Sequence, residues 1–420
     1  MIVKFKHRIV LVSTLLSMLY VEGAKPKQQE FSSEHDSLTQ TVGRLTSDLT
    51  NLQMAFAELN RTLQTFIEEI VSKKTSFFGD GSYGSFLSGP TTVVINDYAK
   101  VIGKAEKGSK HFAVDSIASL SSGVEVLIIQ MKGKEAGKYI FARIFSVDRA
   151  EQIVYVTTGL SFRCSSLGSE RCQIVTVPHY SNVYVNSGGT IMGSEWDGDK
   201  GGVVVLRASI KVEVATSSSK ISACGIGYRG GADGKKLKHP GLQGESYNGT
   251  VVAAIHSNYG GGGGGETPST HNYGGLQPAH GGQAYGNWVS LLDQILMGSG
   301  GGGGARDQDC CANPGRGGNG GGIVMVFTPF IAGSGGIVTA CGENGLNAGN
   351  NGKSGGQQGG GGGGAGGSVL VVSNPSGVST KGSVSVQAPG GAGGSSSESS
   401  YAAPGGAGSE GIISLHSATA

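Results

Sequence analysis

Charge is scarce in this chain: Asp, Glu, Lys and Arg make up 15% of its 420 residues. The two signs also cancel. Residues 1–24 read as a secretory signal, and removing its Lys4, Lys6, Arg8 and Glu22 brings the 32 Lys+Arg and 30 Asp+Glu to 29 of each. A neutral chain without a basic stripe has no electrostatic footprint for nucleic acid or an anionic membrane. Without an acidic excess it is not built to concentrate cations. Long hydrophobic runs are missing too. The apolar stretch 9–19, set between the basic residues and the small-residue exit Val21-Glu22-Gly23-Ala24, has the length of a signal core, short of the roughly 20 residues of a spanning helix. The expected product is exported, with no membrane span.

Catalytic and metal motifs are equally sparse. There is no Cys-x-x-Cys pair for zinc and no His-Glu-x-x-His. In Glu195-Trp196-Asp197-Gly198-Asp199 two carboxylates share a turn, but a calcium loop needs further acidic ligands at set spacing and Lys200 follows at once, so a solvated turn is expected. Asp307-Gln308-Asp309 is a weaker version. Gly227-Tyr228-Arg229-Gly230-Gly231 lacks the Lys-Ser/Thr ending of a phosphate loop and reads as a turn. The histidines, among them His179, His239, His256, His271 and His280, are dispersed. The reading is not an enzyme, with no cofactor, no catalytic residue and no metal site.

What the chain has in excess is glycine, 77 residues, against a usual share of roughly 7%. Hydrophobic residues still reach 37%, and they sit in discrete β-branched runs. Gly201-Gly202 opens Val203-Val204-Val205-Leu206, Gly321-Gly322 opens Ile323-Val324-Met325-Val326-Phe327, and Gly366-Gly367-Ser368 opens Val369-Leu370-Val371-Val372. Each is followed by a weaker β-like run, and a truncated fourth copy begins at Gly408. Repeated short strands without intervening helices, apart from a helical pattern over 288–297, point to a parallel β-solenoid in which each coil adds a rung. The glycine tracts 260–265, 300–304 and 359–364 admit two accounts: loops ejected from the solenoid, or extended polyproline-II-like segments packed at backbone distances that glycine alone permits.

Ahead of the repeats, 91–172 carries alternating strand-like runs separated by Gly-, Asp- and Lys-bearing turns, a small antiparallel β domain. Residues 76–90 have a linker composition. Over 38–70 apolar residues recur at spacings of 4 and 3. Leu38, Leu45, Leu52, Leu59 and Phe66 take one core position and Val42, Leu49, Phe56, Leu63 and Ile70 the other, the 3.5 period of a coiled coil. The competing reading is an amphipathic helix lying on its own chain. Leu and Phe at both core positions depart from the β-branched pattern of dimers and favour a homotrimer over a dimer. The expected organisation is signal peptide 1–24, coiled coil 25–75, linker 76–90, small β domain 91–172 and glycine-rich repeat domain 173–420.

Six cysteines suit an oxidising compartment. Cys164 and Cys172 flank a short polar loop and are expected to pair. Cys224 and Cys341 occupy matching places in two repeats, so stacking can join them, while at least one of the adjacent Cys310 and Cys311 is assigned to a longer-range or interchain link. Asn60-Arg61-Thr62 and Asn248-Gly249-Thr250 are N-glycosylation sequons. Tyr247, Tyr259, Tyr273, Tyr285 and Trp288 punctuate the glycine-rich region, either as sugar-binding faces or as filler beneath long loops.

The ordered series Val126-Leu127-Ile128-Ile129-Gln130-Met131-Lys132-Gly133, Tyr139-Ile140-Phe141-Ala142-Arg143-Ile144, Val175-Thr176-Val177-Pro178-His179-Tyr180-Ser181-Asn182-Val183, Trp196-Asp197-Gly198 with Gly201-Gly202-Val203, Gly227-Tyr228-Arg229-Gly230-Gly231 and Gly317-Gly318-Asn319-Gly320-Gly321-Gly322-Ile323 resembles glycine-rich secreted β-repeat proteins. These occur on bacterial surfaces and in the extracellular matrices of marine invertebrates, including the organic matrix of coral skeletons. The likeness spans about 91–415, implies shared architecture and carries over no catalytic residue. The cysteines and the heptads depart from the bacterial form. The expected function is a secreted, disulfide-bearing glycoprotein of an extracellular matrix, a framework component where biomineralization occurs, with matrix polysaccharides or proteins as partners. A glycan-binding adhesin or lectin ranks second and a solenoid polysaccharide-cleaving enzyme third.

Overall fold

The computed structural model describes residues 28–72, 77–234, 241–247, 290–306, 313–349, 358–374, 383–396 and 404–418, with helix side chains described over 36–62. The signal segment, Asn248, Cys310, Cys311, Tyr259, Tyr273, Tyr285, Trp288, the tract 260–265 and the side chains of Leu63, Phe66 and Ile70 lie outside them. The chain divides into two units, 1–74 and 75–420.

The first unit contains α1, Gln28–Ser72, a single uninterrupted helix. Thr41, Thr46, Thr50 and Thr62 each donate a side-chain hydroxyl to the carbonyl four residues earlier, which settles polar groups that would otherwise compete with the helical backbone. Asn60 is exposed on it.

The second unit is mainly β. Its strands are β1 (Phe86–Ser88), β2 (Thr92–Val94), β3 (Tyr98–Ile102), β4 (Lys104–Ala105), β5 (His111–Val114), β6 (Glu125–Lys132), β7 (Tyr139–Asp148), β8 (Ile153–Val156), β9 (Cys164–Ser165) and β10 (Arg171–Thr176). Beyond these come β11 (His179–Val185), β12 (Thr190–Met192), β13 (Val203–Thr216), β14 (Lys220–Ser222), β15 (Ile323–Phe327), β16 (Ile331–Ser334), β17 (Ile337–Thr339), β18 (Ser368–Ser373), β19 (Ser385–Gln387) and β20 (Ile412–Ser417).

Strands β3, β5, β6, β7, β8 and β10 close an antiparallel barrel. Val101, Phe112, Val126, Ile128, Ile144, Val154 and Ile174 fill it, and the Cys164–Cys172 disulfide, with Cα atoms 5.6 Å apart, is buried against that core. The remaining long strands stack as rungs in two parallel sheets, a β-solenoid-like arrangement. The first sheet runs β1-β11-β13-β15-β18-β20, with β16 also paired to β13, and the second runs β19-β17-β14-β12-β2. Between them, Val204, Leu206, Val324, Val326, Val369 and Val371 meet Ile191, Ile221 and Val338. The other face of the first sheet, through Val203, Val205, Ile323, Met325 and Leu370, packs on Leu127, Ile129 and Met131 of the barrel. Burial on both faces is why these strands are continuous apolar runs instead of alternating ones, and β6 reads Val-Leu-Ile-Ile for the same reason. A second disulfide, Cys224–Cys341, ties neighbouring rungs where the chain leaves β14 and β17, with Cα atoms 4.3 Å apart.

Three expectations are corrected. The supposed linker 76–90 contains β1, whose Phe86 packs into the inter-sheet core while Leu87 faces outward. Thr92–Val94 pairs with β12 of the solenoid, not with the barrel, and the barrel extends past 172 to the end of β10. The pattern at 288–297 is not a helix over its described part: a turn at 291–293 leads into an extended segment. There Ile295, Leu296 and Met297 are buried consecutively, which a helical face does not allow.

Between rungs, the glycine-rich segments 224–234, 241–247, 297–306, 313–322, 340–349, 358–367, 388–396 and 404–411 form a lattice of extended chains. Segment 358–367 is buried throughout. Its N–H groups at Gly359, Gly362 and Ala365 donate to Ala305, Gly302 and Ser299, and those at Gly361, Gly364 and Gly367 donate to Leu346, Glu343 and Ala340. Gly363 and Gly366 donate to Gly406 and Ser409, and carbonyls of the segment accept from 315–321 and 391–394. Partners that change direction with a period of three are what polyproline-II geometry produces. Eight of the ten N–H groups of this segment, those of 359 and 361–367, are thereby satisfied by neighbouring segments.

Candidate functional site

The densest polar chemistry lies on the seam between the barrel and the first sheet. At one end Glu125, opening β6, meets Arg207 of β13 and His179 of β11. Arg207 Nε donates to Glu125 Oε2 at 2.5 Å, and His179 Nε2 lies 2.8 Å from the same oxygen. Arg207 also donates to the Phe77 carbonyl at 2.6 Å, and its guanidinium stands 4.6 and 4.5 Å from the ring centres of Phe141 and Phe327. On the far side of the imidazole, Nδ1 accepts the Asp80 N–H at 3.3 Å and lies 3.2 Å from Asp80 Oδ1. Arg143 pairs with Asp80 Oδ2 at 2.9 Å.

Two carboxylates flanking a buried histidine are the residue types of acid–base catalysis. Their electrostatics exclude general-acid work at neutral pH. Burial pushes the Glu125 carboxyl up, but the His179 hydrogen bond and the charge and hydrogen bond of Arg207 outweigh it and hold the group below the usual range. Burial likewise raises Asp80, and bonds from Ser82, the His179 charge and Arg143 bring it down to about 2. Both carboxylates stay ionised, with their oxygens engaged, so neither has a proton to give.

At the other end of the seam Glu245, from the glycine lattice, is buried against Lys132 of β6. Lys132 Nζ lies 2.8 Å from Oε1, while Trp196 Nε1 and Arg229 Nε donate to Oε2 at 3.1 and 3.0 Å. Burial raises this carboxyl, and the bonds from Arg229 and Lys132 lower it further than burial lifts it. Tyr228, fully buried, donates its hydroxyl to the Met131 carbonyl. The segment around Tyr228, which bends at 227–228, thereby docks the lattice on the barrel, with Gly227 N–H donating to Gly320 and Tyr228 N–H to Gly298. With its amides consumed in this way, the segment has none to offer a phosphate.

The acidic turn is also closed on itself. Asp197 Oδ1 accepts the N–H groups of Asp199 and Lys200 at 2.8 and 2.9 Å, and Asp199 Oδ1 receives Lys100 Nζ at 2.9 Å and Arg171 Nε at 2.5 Å. Among the described residues no group of three or more His, Cys, Asp or Glu is placed to hold a metal ion. Of the punctuating aromatics, Tyr247 is partly buried against the seam core.

The described residues hold one extended surface of a different kind. On α1, Leu38, Leu45, Leu52, Phe56 and Leu59 are 49 to 69% exposed, with Val42 and Leu49 half-buried. Sequence reading singled out this stripe but missed Glu125, Arg207, Lys132 and Glu245. A signal for two of them was present: Arg207 is the lone charge ending a four-residue apolar run, and Glu245 is an acid within a glycine-rich segment. Both are patterns of a buried charge with a partner.

No family model and no curated protein matches this chain. Among solved structures, the tailspike of Acinetobacter baumannii bacteriophage AP22, in complex with A. baumannii capsular saccharide, aligns over 62% of this chain and 43% of its own, at 9% identity and a TM-score of 0.18. The tailspike protein gp49 from Pseudomonas phage LKA1 aligns over 80% and 67%, at 9% identity and a TM-score of 0.17. The chain thus spans less than half the length of the first, and superpositions this loose carry nothing about function.

Proposed function

We propose that this is a secreted structural protein of an extracellular matrix, in which α1 associates with copies of itself and gathers several β-rich arms. The observation that carries the reading is the exposed 3.5-period stripe on α1. Fully burying one Leu or Phe is worth about 1.5–3 kcal/mol, so a helix holding five such residues in water gains by finding an equivalent partner. The rest of the molecule supports the same role. Charged groups that would do chemistry in an enzyme are here spent on joining barrel, sheet and lattice, and two disulfides fix the arm. Among the described residues no helix is long and apolar enough to cross a membrane, in keeping with export. With neutral overall charge, the role is framework and not mineral nucleation.

The test is Leu52→Asp together with Leu59→Asp in the mature chain, read by light scattering. It places charges in the stripe alone, so the assembly should fall to a lower mass with the β signal in circular dichroism retained. An unchanged mass would mean that α1 packs within its own chain.

A further inference from the structure

The two ends of the solenoid differ, and the difference identifies a docking surface. Along the first sheet, paired positions form apolar rows: Val204, Val324, Val369 and Ile413 in one, Leu206, Val326, Val371 and Leu415 in the other. The first three members of each are 0 to 2% exposed, whereas Ile413 and Leu415 are 43% and 58% exposed. The cause is a missing opposite wall. The second sheet ends at β19, and among the described residues no strand of it faces β20.

Among the described residues, the backbone of β20 also has no partner along one edge. Ile412 N–H donates to Gly367 and Ala418 N–H to Ser373, on the β18 side. Backbone groups alternate along a strand, so those of Ile413, Leu415 and Ser417 point to the open side, where no described strand pairs. The strand Ile-Ile-Ser-Leu-His-Ser carries no Lys, Arg, Asp, Glu or Pro, the devices by which edge strands are kept from pairing.

The opposite edge of the same sheet half is sealed. Asn96 donates to the Val205 carbonyl at 2.7 Å and accepts the Val205 N–H at 3.2 Å, which is what a neighbouring peptide would do. Tyr98 donates to the Val203 carbonyl at 2.6 Å, and Gln173 repeats the two-way bond at Gly201. Head-to-tail stacking of β20 on this edge therefore finds no backbone groups to pair with. Within this half of the sheet, what remains is like with like. We propose that a second copy of this chain docks on β20, the two strands pairing antiparallel about a two-fold axis at Leu415. This register uses all three outward residues: Leu415 opposes its own copy, and Ile413 opposes the partner's Ser417. The first sheets of the two copies then run on as one, and Ile413 and Leu415 gain side-chain neighbours across the pair. The contact is isologous and closes at two chains.

The inference is independent of the helix reading, and its test removes the helix contribution. In the full mature chain carrying Leu52→Asp and Leu59→Asp, sedimentation equilibrium should give twice the chain mass, and adding Leu415→Lys should halve it with the β signal in circular dichroism unchanged. A mass equal to one chain before that change, a mass insensitive to it, or masses climbing past two with concentration would each overturn the proposal. A second variant guards against loss of folding: Leu415→Cys, oxidised and mapped without reduction, should yield a peptide linked to itself through residue 415, since directly opposed residues of such a pair lie about 5.5 Å apart. A double-mass species lacking that link would refute the two-fold register.

Discussion

The barrel and the glycine lattice sit in one compact unit and exclude water by opposite means. The barrel does it with side chains: Phe112, Ile128, Ile144 and Val154 interlock, and the backbone is held apart by their bulk. In the lattice, segment 358–367 is just as buried with almost no side chains, because its neighbours approach to backbone contact. A methyl added at Gly364 would stand 2.0 Å from the Asn319 carbonyl oxygen. Hydrophobic transfer, the main driving force in the barrel, has little to act on there. Cohesion comes from amide hydrogen bonds, each of modest net worth but costly to leave unmade, with close Cα–H contacts to carbonyl oxygen adding to them. A side-chain core tolerates a change of one methylene by partial relaxation, whereas a backbone lattice has no soft contact to give way.

That contrast sets the order of expected effects. The largest belongs to Gly364→Ala, which should cost about 4 kcal/mol or more and collapse the repeat region, while Ile128→Val in the barrel, altering volume by the same methyl, should cost about 0.5–1.5 kcal/mol. Urea denaturation of the two variants measures the difference, and comparable losses would erase the distinction. Next is Glu245→Ala, which strips the carboxylate from between the two regions and leaves Lys132 buried without its counter-charge, for about 3–5 kcal/mol. Separate unfolding transitions for barrel and lattice in this variant would show that the seam is what couples them. Denaturation that matched the unaltered protein would show that it is not.

The smallest effect is acid sensitivity. Asp80 and Glu125 are held below their ordinary values in the folded chain, so the unfolded chain binds more protons once pH falls through its carboxylate range near about 4. The stability they supply is full above that range and is lost as pH falls below it, for Asp80 through about 2. Asp80 is partly open to solvent, which keeps its share modest. Urea midpoints of the unaltered protein and Asp80→Asn should therefore differ at pH 6, draw together as pH falls below about 4 and meet only below about 2. A gap that stayed constant with pH would remove the ion pairs from the account.

Much of the β architecture was legible because both strand classes leave local marks. Strand-like runs between turns gave a small antiparallel β domain, and apolar runs such as 203–206 and 369–372 gave the strands of a parallel solenoid. Spacing allowed the Cys164–Cys172 bond, and repeat position allowed Cys224 to meet Cys341. The seam was less accessible, because Glu125, His179 and Arg207 come together through sheet register, and nothing local to Glu125 announces a partner 82 residues away. Likewise the assignment of 86–88 and 92–94 to the solenoid depends on strands that follow the barrel. A three-residue run carries too little pattern to name its sheet. The pattern at 288–297 misled because its end, Ile295 to Met297, is apolar through burial in an extended segment and matched a helical period by chance.

The lattice also bears on how readily the chain is digested. A protease takes its substrate as an extended strand, pairing with its backbone and seating side chains in pockets. Segment 358–367 is already extended, yet its amides are committed to surrounding segments, and a run of glycine presents nothing for a pocket to hold. Cleavage there must wait for the array to open, and an array whose members are held by bonds to one another opens as a unit rather than one segment at a time. Resistance to digestion is thus written into the backbone, where no surface substitution can easily erode it.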